Sequence, residues 1–211
     1  MAALPELDVL SVFLAAAVAL GFAPGPDNIF VLTQSALYGR PAGFVVTLGL
    51  CTGLLVHTSA VAFGVAAIFA ASTVAFTAVK LLGAGYLLYL AWQALKAGRS
   101  IPSADANSEP SLLQLYRRGI VMNITNPKVA IFFLAFLPQF ADPSVGPLVP
   151  QLFGLGCLFI MVTIIVFGLV ACGAGFLGEW LKRSPTAHLV LNRIAAVVFV
   201  GLAVRLVTTQ R

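Results

Sequence analysis

The chain has 211 residues, 60% of them hydrophobic and only 9% charged, against roughly 45–50% and about 25% in ordinary soluble domains. With 12 basic and 7 acidic side chains and a mean hydropathy of +1.03, it cannot cover a soluble globule with polar groups. This balance excludes intrinsic disorder, nucleic-acid binding and a secreted disulfide scaffold, and it identifies lipid as the main solvent.

A bilayer core of about 30 Å needs roughly 20 apolar residues as a helix. Six segments qualify, at about 9–37, 42–70, 74–95, 119–138, 148–178 and 186–206. The start, MAALPELDVL, carries Glu6 and Asp8 where a cleavable signal would be basic, so the first segment is expected to be retained. That segment is too long for one simple helix. Residues 9–39 hold a single charge and would run about 46 Å if wholly helical. Pro24 and Pro26 lie inside it, and proline lacks a donor and clashes with the preceding turn. The expectation is a helix over 7–23, a break over 24–27 and a second short helix from near Asn28. Irregular backbone at membrane depth survives only where protein or a water-filled cavity satisfies it.

Asp27, in Gly21-Phe22-Ala23-Pro24-Gly25-Pro26-Asp27-Asn28, is the acid that falls inside an apolar run. It would either cap the helix that follows or face a transport path as a protonatable group. The second span holds His57 beside Thr58 and Ser59, a proton carrier by its ordinary pKa or a hydrogen-bonded packing residue. Lys80 lies about eleven residues into the third span when counted from Ala70, where it is either a site residue or half of a structural ion pair.

The polar stretch 96–118 contains the longest linker, IPSADANSEPS, near the midpoint of the chain. The fourth span then carries Asn123-Ile124-Thr125-Asn126-Pro127-Lys128, a proline break with an ammonium about 15 Å into the span. Lys128 would line a site in a discontinuous helix, or neutralise an acid and fix packing. Arg193, closer to the cytoplasmic end of the sixth span, can snorkel to headgroups.

Six spans put Arg40, Lys96, Arg99, Arg117, Arg118, Lys182 and Arg183 on one face, with Arg205 and Arg211 on the other. The positive-inside bias makes the first face cytoplasmic, with both termini outside. Cys51, Cys157 and Cys172 sit in apolar stretches with no CxxC pair and read as packing residues. Gly21/Gly25, Gly39/Gly43 and Gly49/Gly53 have the spacing that lets helices approach closely, which is compatible with a homodimer. No Walker loop, nucleophile–base set, haem ligand pair or metal-ligand cluster is present in the sequence, so neither catalytic residues nor cofactors nor metals are expected.

The expected fold is an all-α integral membrane protein of one domain over 1–211. Its six helices form two inverted three-helix repeats, about 1–99 and 114–211, joined by a linker at 100–113. The first and fourth helices are interrupted at their proline motifs. Paired interruptions at matching positions of two inverted halves point to a transporter site. Asp27 and Lys128 would then take the ammonium and carboxylate ends of a zwitterion.

The stretches GFAPGPDNIFVLTQSALYGRPAGFVVTLGLCTG (21–53), KLLGAGYLLYLAWQALK (80–96) and NITNPKVAIFFLAFLPQF (123–140) resemble the LysE/RhtB family of amino-acid exporters, over essentially the whole chain. The resemblance implies an inner-membrane efflux carrier driven by the proton motive force. Its motif positions are Pro24, Gly25, Pro26, Asp27 and Asn28, then Asn123, Asn126, Pro127 and Lys128. The substrate and proton pathway is accordingly expected at Asp27, Asn28, Asn123, Asn126, Lys128, Lys80 and His57, with helix breaks at Pro24, Gly25, Pro26 and Pro127. Partners are a small amino-acid-type substrate, protons and lipid, with no nucleic acid. Competing readings are a divalent-cation exporter, disfavoured because hard cations want several oxygen ligands and one buried acid is available, and a non-transporting assembly or sensor subunit.

Overall fold

The structure, a computed structural model, describes residues 7–23, 25–71, 73–96 and 110–183, and single positions between Val190 and Thr208. The described elements are helical: α1 (Leu7–Phe22), α2 (Pro26–Tyr38), α3 (Arg40–Ala71), α4 (Thr73–Lys96), α5 (Leu112–Ile124), α6 (Pro127–Ile131) and α7 (Leu148–Arg183). After α6 the chain continues as a π-helical turn, Phe132–Phe136, and a 3₁₀ turn, Leu137–Phe140. The described positions of the sixth expected span, among them Arg193, are helical, and Arg193 is exposed. Pro24 and His188 lie outside the described residues, as do the linker at 97–109 and the side chains of Lys80, Lys182 and Arg183.

Among the described residues, two helical stretches are long and apolar enough to cross a bilayer, Arg40–Gly64 and Leu148–Ala174. Two bent pairs do so if each is one span: α1 with α2, bent by 57°, and α5 with the Pro127–Phe140 segment, bent by 50°. Leu48, Phe63, Leu82, Val121, Ile165 and Leu169 are exposed on the outside. On a soluble protein so much exposed apolar surface would demand partners; on helices long and apolar enough to cross a bilayer it is the surface that acyl chains would suit.

α3 is the axis of the bundle, packing on α2, α4, α5 and α7. Its crossing with α5 is close because both helices lack side chains at the contact. A Cβ on Gly119 would stand 2.6 Å from the Val46 carbonyl oxygen, and one on Gly49 would be 3.1 Å from the Gly119 Cα. Without a hydrophobic driving force between lipid-bathed helices, such backbone contact supplies the packing energy. Gly39, at φ 83°, makes the one-residue turn between α2 and α3. Two apolar clusters flank the axis. One joins Val31, Val46, Leu50, Leu115, Val166 and Phe167; the other stacks Phe13, Phe132, Phe133, Phe136, Phe140 and Phe159.

Several expected boundaries change. The second short helix begins at Pro26, ahead of Asn28, because proline at the first helical position gives up an amide that would be unpaired anyway. The fourth helical stretch begins at Leu112 instead of 119, since Ser111 and Gln114 form a reciprocal capping box. Arg117 and Arg118, expected in a connection, are therefore exposed residues of α5. Beyond Pro127 the helix does not stay α. Pro138 has no N–H and its ring crowds the carbonyl four residues back, and the π turn containing Leu134 widens the backbone at that point. Among the cysteines Cys51 is buried, whereas Cys157 and Cys172 are exposed on α7.

Candidate functional site

The two helix breaks lie against each other in the centre of the bundle. At the first, α1 ends at Phe22 and α2 starts at Pro26, with Gly25 as its N-cap and no side-chain cap bond. The last turn of a helix leaves carbonyls without partners, and in lipid each must find one inside the protein. Ala19 O accepts from the Ala23 amide at 2.9 Å. Gly21 O accepts from Asn28 Nδ2 at 2.5 Å. Leu20 O and Ala23 O accept from Lys128 Nζ at 3.5 and 3.1 Å. A residue 105 positions away in sequence thus closes the end of α1, and its positive charge meets the negative end of the helix dipole.

The second break is closed from within and from α3. Asn126 caps α6, its Oδ1 accepting from the Lys128 amide at 3.0 Å, and Pro127 takes the first helical position. Thr125 Oγ1 donates to Val121 O at 2.8 Å, and His57 Nε2 lies 3.2 Å from Asn123 O. The His57 ring also rests on Phe133, with centroids 5.8 Å apart.

Asp27 does not cap its own helix; the capping alternative fails because α2 starts one residue ahead of it. Its carboxylate crosses to the other break, where Oδ2 accepts from Asn123 Nδ2 at 3.2 Å. Asp27 is 4% exposed and Lys128 7%. Among the described residues these charges form no direct salt bridge, because Lys128 is committed to the α1 carbonyls. Buried polar side chains normally find partners, and unpaired ones gather here. Asp27 Oδ1, Asn28 Oδ1, Asn123 Oδ1 and Asn126 Nδ2 have none, and Gln34 Oε1, further along α2, is a fifth.

The junction therefore brings together Asp27, Asn28, Asn123, Asn126 and Lys128, with His57 at its edge. Lys80 lies on α4, and its side chain is outside the described residues. Sequence reasoning missed Gly53. A Cβ there would fall 2.6 Å from Asn123 Oδ1 and 2.7 Å from Asn123 Cβ, so the bare backbone of α3 is the seat of the asparagine that holds Asp27. The Gly49/Gly53 spacing marked a close helix approach without revealing what lies over the second glycine. Gly25 is similar, since its Cβ would meet Lys128 Nζ at 2.9 Å. Among the described residues no three His, Cys, Asp or Glu side chains gather as a metal centre would require.

A helical, multi-pass membrane protein with a buried polar junction between two bent helix pairs is the class these features define. The chain belongs to the LysE type translocator family, whose model matches residues 18–210. It is 31% identical over 206 residues to an uncharacterised membrane protein of Vibrio cholerae serotype O1, covering 97% of this chain and 99% of that one. It is 32% identical over 187 residues to the homoserine/homoserine lactone efflux protein of Salmonella typhi, covering 89% and 90%. No solved structure matches it.

Proposed function

We propose that this protein is a secondary active exporter of an amino acid or amino-acid derivative across the inner membrane, of the kind the Salmonella typhi relative's name records. It acts as a proton antiporter by alternating access and has no enzymatic step. One observation carries the reading: two breaks far apart in sequence meet in the apolar interior, joined by Asn123 to Asp27 and by Lys128 to the end of α1. A purely structural bundle has no use for such a junction, because buried ionisable groups are costly in a membrane.

On this reading, residues 1–99 and 114–211 are two inverted repeats of three spans joined by a linker at 100–113, and each bent pair is one interrupted span. Both termini face outward, and two copies associate as a homodimer through glycine-rich faces. Asp27 exchanges protons and receives the ammonium group of the cargo. Asn28, Asn123, Asn126 and Lys128 line the same pathway, and His57 and Lys80 extend it. Protons move inward as substrate moves out. The test is uptake of radiolabelled L-homoserine into everted vesicles energised by a proton gradient. The expected result is accumulation that an uncoupler abolishes and that Asp27→Asn reduces to background. Accumulation unaffected by the uncoupler would refute proton coupling, and none above empty-vector vesicles would refute homoserine as cargo.

A further inference from the structure

Arg117 and Arg118 are exposed on α5, and the crossing of α3 with α5 fixes how deep they sit. Gly119 packs on Val46 and Gly49, and Asn123, one turn on, packs over Gly53, so the two helices run parallel and advance together. The arginines are therefore level with the Val46–Gly49 turn of α3, about 9–13 Å past Arg40 at the α-helical rise. That depth lies inside the apolar stretch Arg40–Gly64, where Leu48 is exposed at the same level. Beside the two arginines the outer face of α5 carries exposed Leu113, Val121 and Ile124. Among the described residues neither arginine has an ion-pair partner. The described acids lie elsewhere: Asp8 at the start of α1, Asp27 in the junction and Asp142 in the turn before α7. A charge within an apolar belt needs a partner or a route to the surface.

We propose that Arg117 and Arg118 hold the phosphate of an anionic phospholipid against the outer face of α5. The route is built into the helix. Side chains on a helix lean toward its N-terminus, which for α5 is the Arg40 end of the bundle. Both guanidinium groups therefore reach back from the apolar belt to headgroup level while their stems stay on apolar surface. A guanidinium presents a planar fork of donors that matches phosphate oxygens, and it is more weakly hydrated than an ammonium. Leu113, Val121 and Ile124 give the acyl chains an apolar bed on the same helix face. A second copy of the chain is the poorer occupant, because a twofold contact through this face sets four arginines together. The bound lipid braces α5 where Gly119 and Asn123 already lie close on α3, and so stabilises the fold. The inference rests on the membrane setting and does not depend on the cargo.

The experiment uses the full chain, purified in a neutral detergent and stripped of lipid. Its thermal unfolding midpoint is followed against rising dioleoylphosphatidylglycerol, dioleoylphosphatidylcholine or inorganic phosphate. The expected result is a midpoint raised by phosphatidylglycerol about 5 °C further than by phosphatidylcholine, with no rise from phosphate alone. Arg117→Gln with Arg118→Gln should remove that difference. Arg40→Gln with Lys96→Gln, which loses the same charge from the positive face, should keep it. Native mass spectrometry of the wild type in an equimolar mixture of the two lipids tests the inference without any variant, and at least about fivefold more phosphatidylglycerol adduct is expected. Equal responses to the two lipids, a preference that survives in the Arg117 and Arg118 variant, or its equal loss in the Arg40 and Lys96 variant would overturn the inference. A rise from inorganic phosphate equal to that from phosphatidylglycerol would also overturn it, by making a soluble anion the ligand.

Discussion

Gly53→Ala is the most informative single change, because it adds one methyl group at the seat of Asn123 and touches no charged residue. The new Cβ would be 2.6 Å from Asn123 Oδ1, 2.7 Å from its Cβ and 3.0 Å from its Cγ, where ordinary contact begins at 3.4 Å. Asn123 Cβ cannot swing aside as a lysine tip could, so α3 and α5 must separate by about 0.7 Å, an overpacking cost of roughly 1–3 kcal/mol. The shift also lengthens the Asn123–Asp27 and His57–Asn123 contacts, now 3.2 Å each. A buried hydrogen bond to a charged group contributes about 1.5–3 kcal/mol when intact. Alanine returns about 1 kcal/mol of helix propensity. The net expectation is a loss of about 2–4 kcal/mol of stability together with near-complete loss of homoserine uptake. Gly64→Ala is the control on the same helix, since nothing lies within 4 Å of its added Cβ, and it should match or exceed the wild type. Both variants are compared by denaturant unfolding in detergent and by uptake into everted vesicles. Equal stability and equal uptake for the two would refute the close seating of Asn123 on α3.

Three further outcomes are expected. Lys128→Met leaves the Leu20 and Ala23 carbonyls without their donor and should cost about 1–3 kcal/mol in unfolding experiments, with Lys128→Arg recovering part of the loss. Gln151→Leu removes the buried clamp on the turn before α7, where Oε1 accepts from the Asp142 amide at 2.9 Å and Nε2 donates to Asp142 O and Gly146 O at 2.8 and 3.0 Å. It should cost about 2–4 kcal/mol and speed amide exchange across residues 141–147. In that turn the Ser144 hydroxyl and amide hold the Asp142 carboxyl below its ordinary value. Its stabilising effect is therefore full above the unfolded-state pKa and is lost as pH falls through the folded one. Asp142→Asn should flatten the acid limb of the stability profile, and an unchanged limb would remove Asp142 from the explanation.

Much of the junction is legible in the sequence because its causes are local. Two prolines within three residues, and Asn126-Pro127, forbid a continuous helix wherever they fall. Hydropathy alone identified α3 and α7. What sequence could not give is the pairing across the bundle. Asp27 reads equally well as a cap until Pro26 is seen to start α2, and only packing brings Asn123 opposite it. The charges of Asp27 and Lys128 suggested that each would hold one end of a substrate, but nothing local reveals that α1 ends in carbonyls within reach of Lys128. Arg117 and Arg118 read as linker because charge interrupts an apolar window, although the Ser111 and Gln114 capping box three residues apart was the available sign of an earlier start. The π turn after Ile131 answers to Pro138, and its width could not be inferred from composition.

The most direct test of the account is equilibrium binding of radiolabelled L-homoserine to the purified protein, comparing the wild type with Asp27→Asn and Asn123→Leu at matched folded fractions. The account predicts saturable binding to the wild type and a loss of at least tenfold in affinity for both variants, since each removes one side of the contact between the two breaks. Unchanged affinity in both variants would mean that the substrate binds elsewhere, and that the junction serves only to hold the helices together.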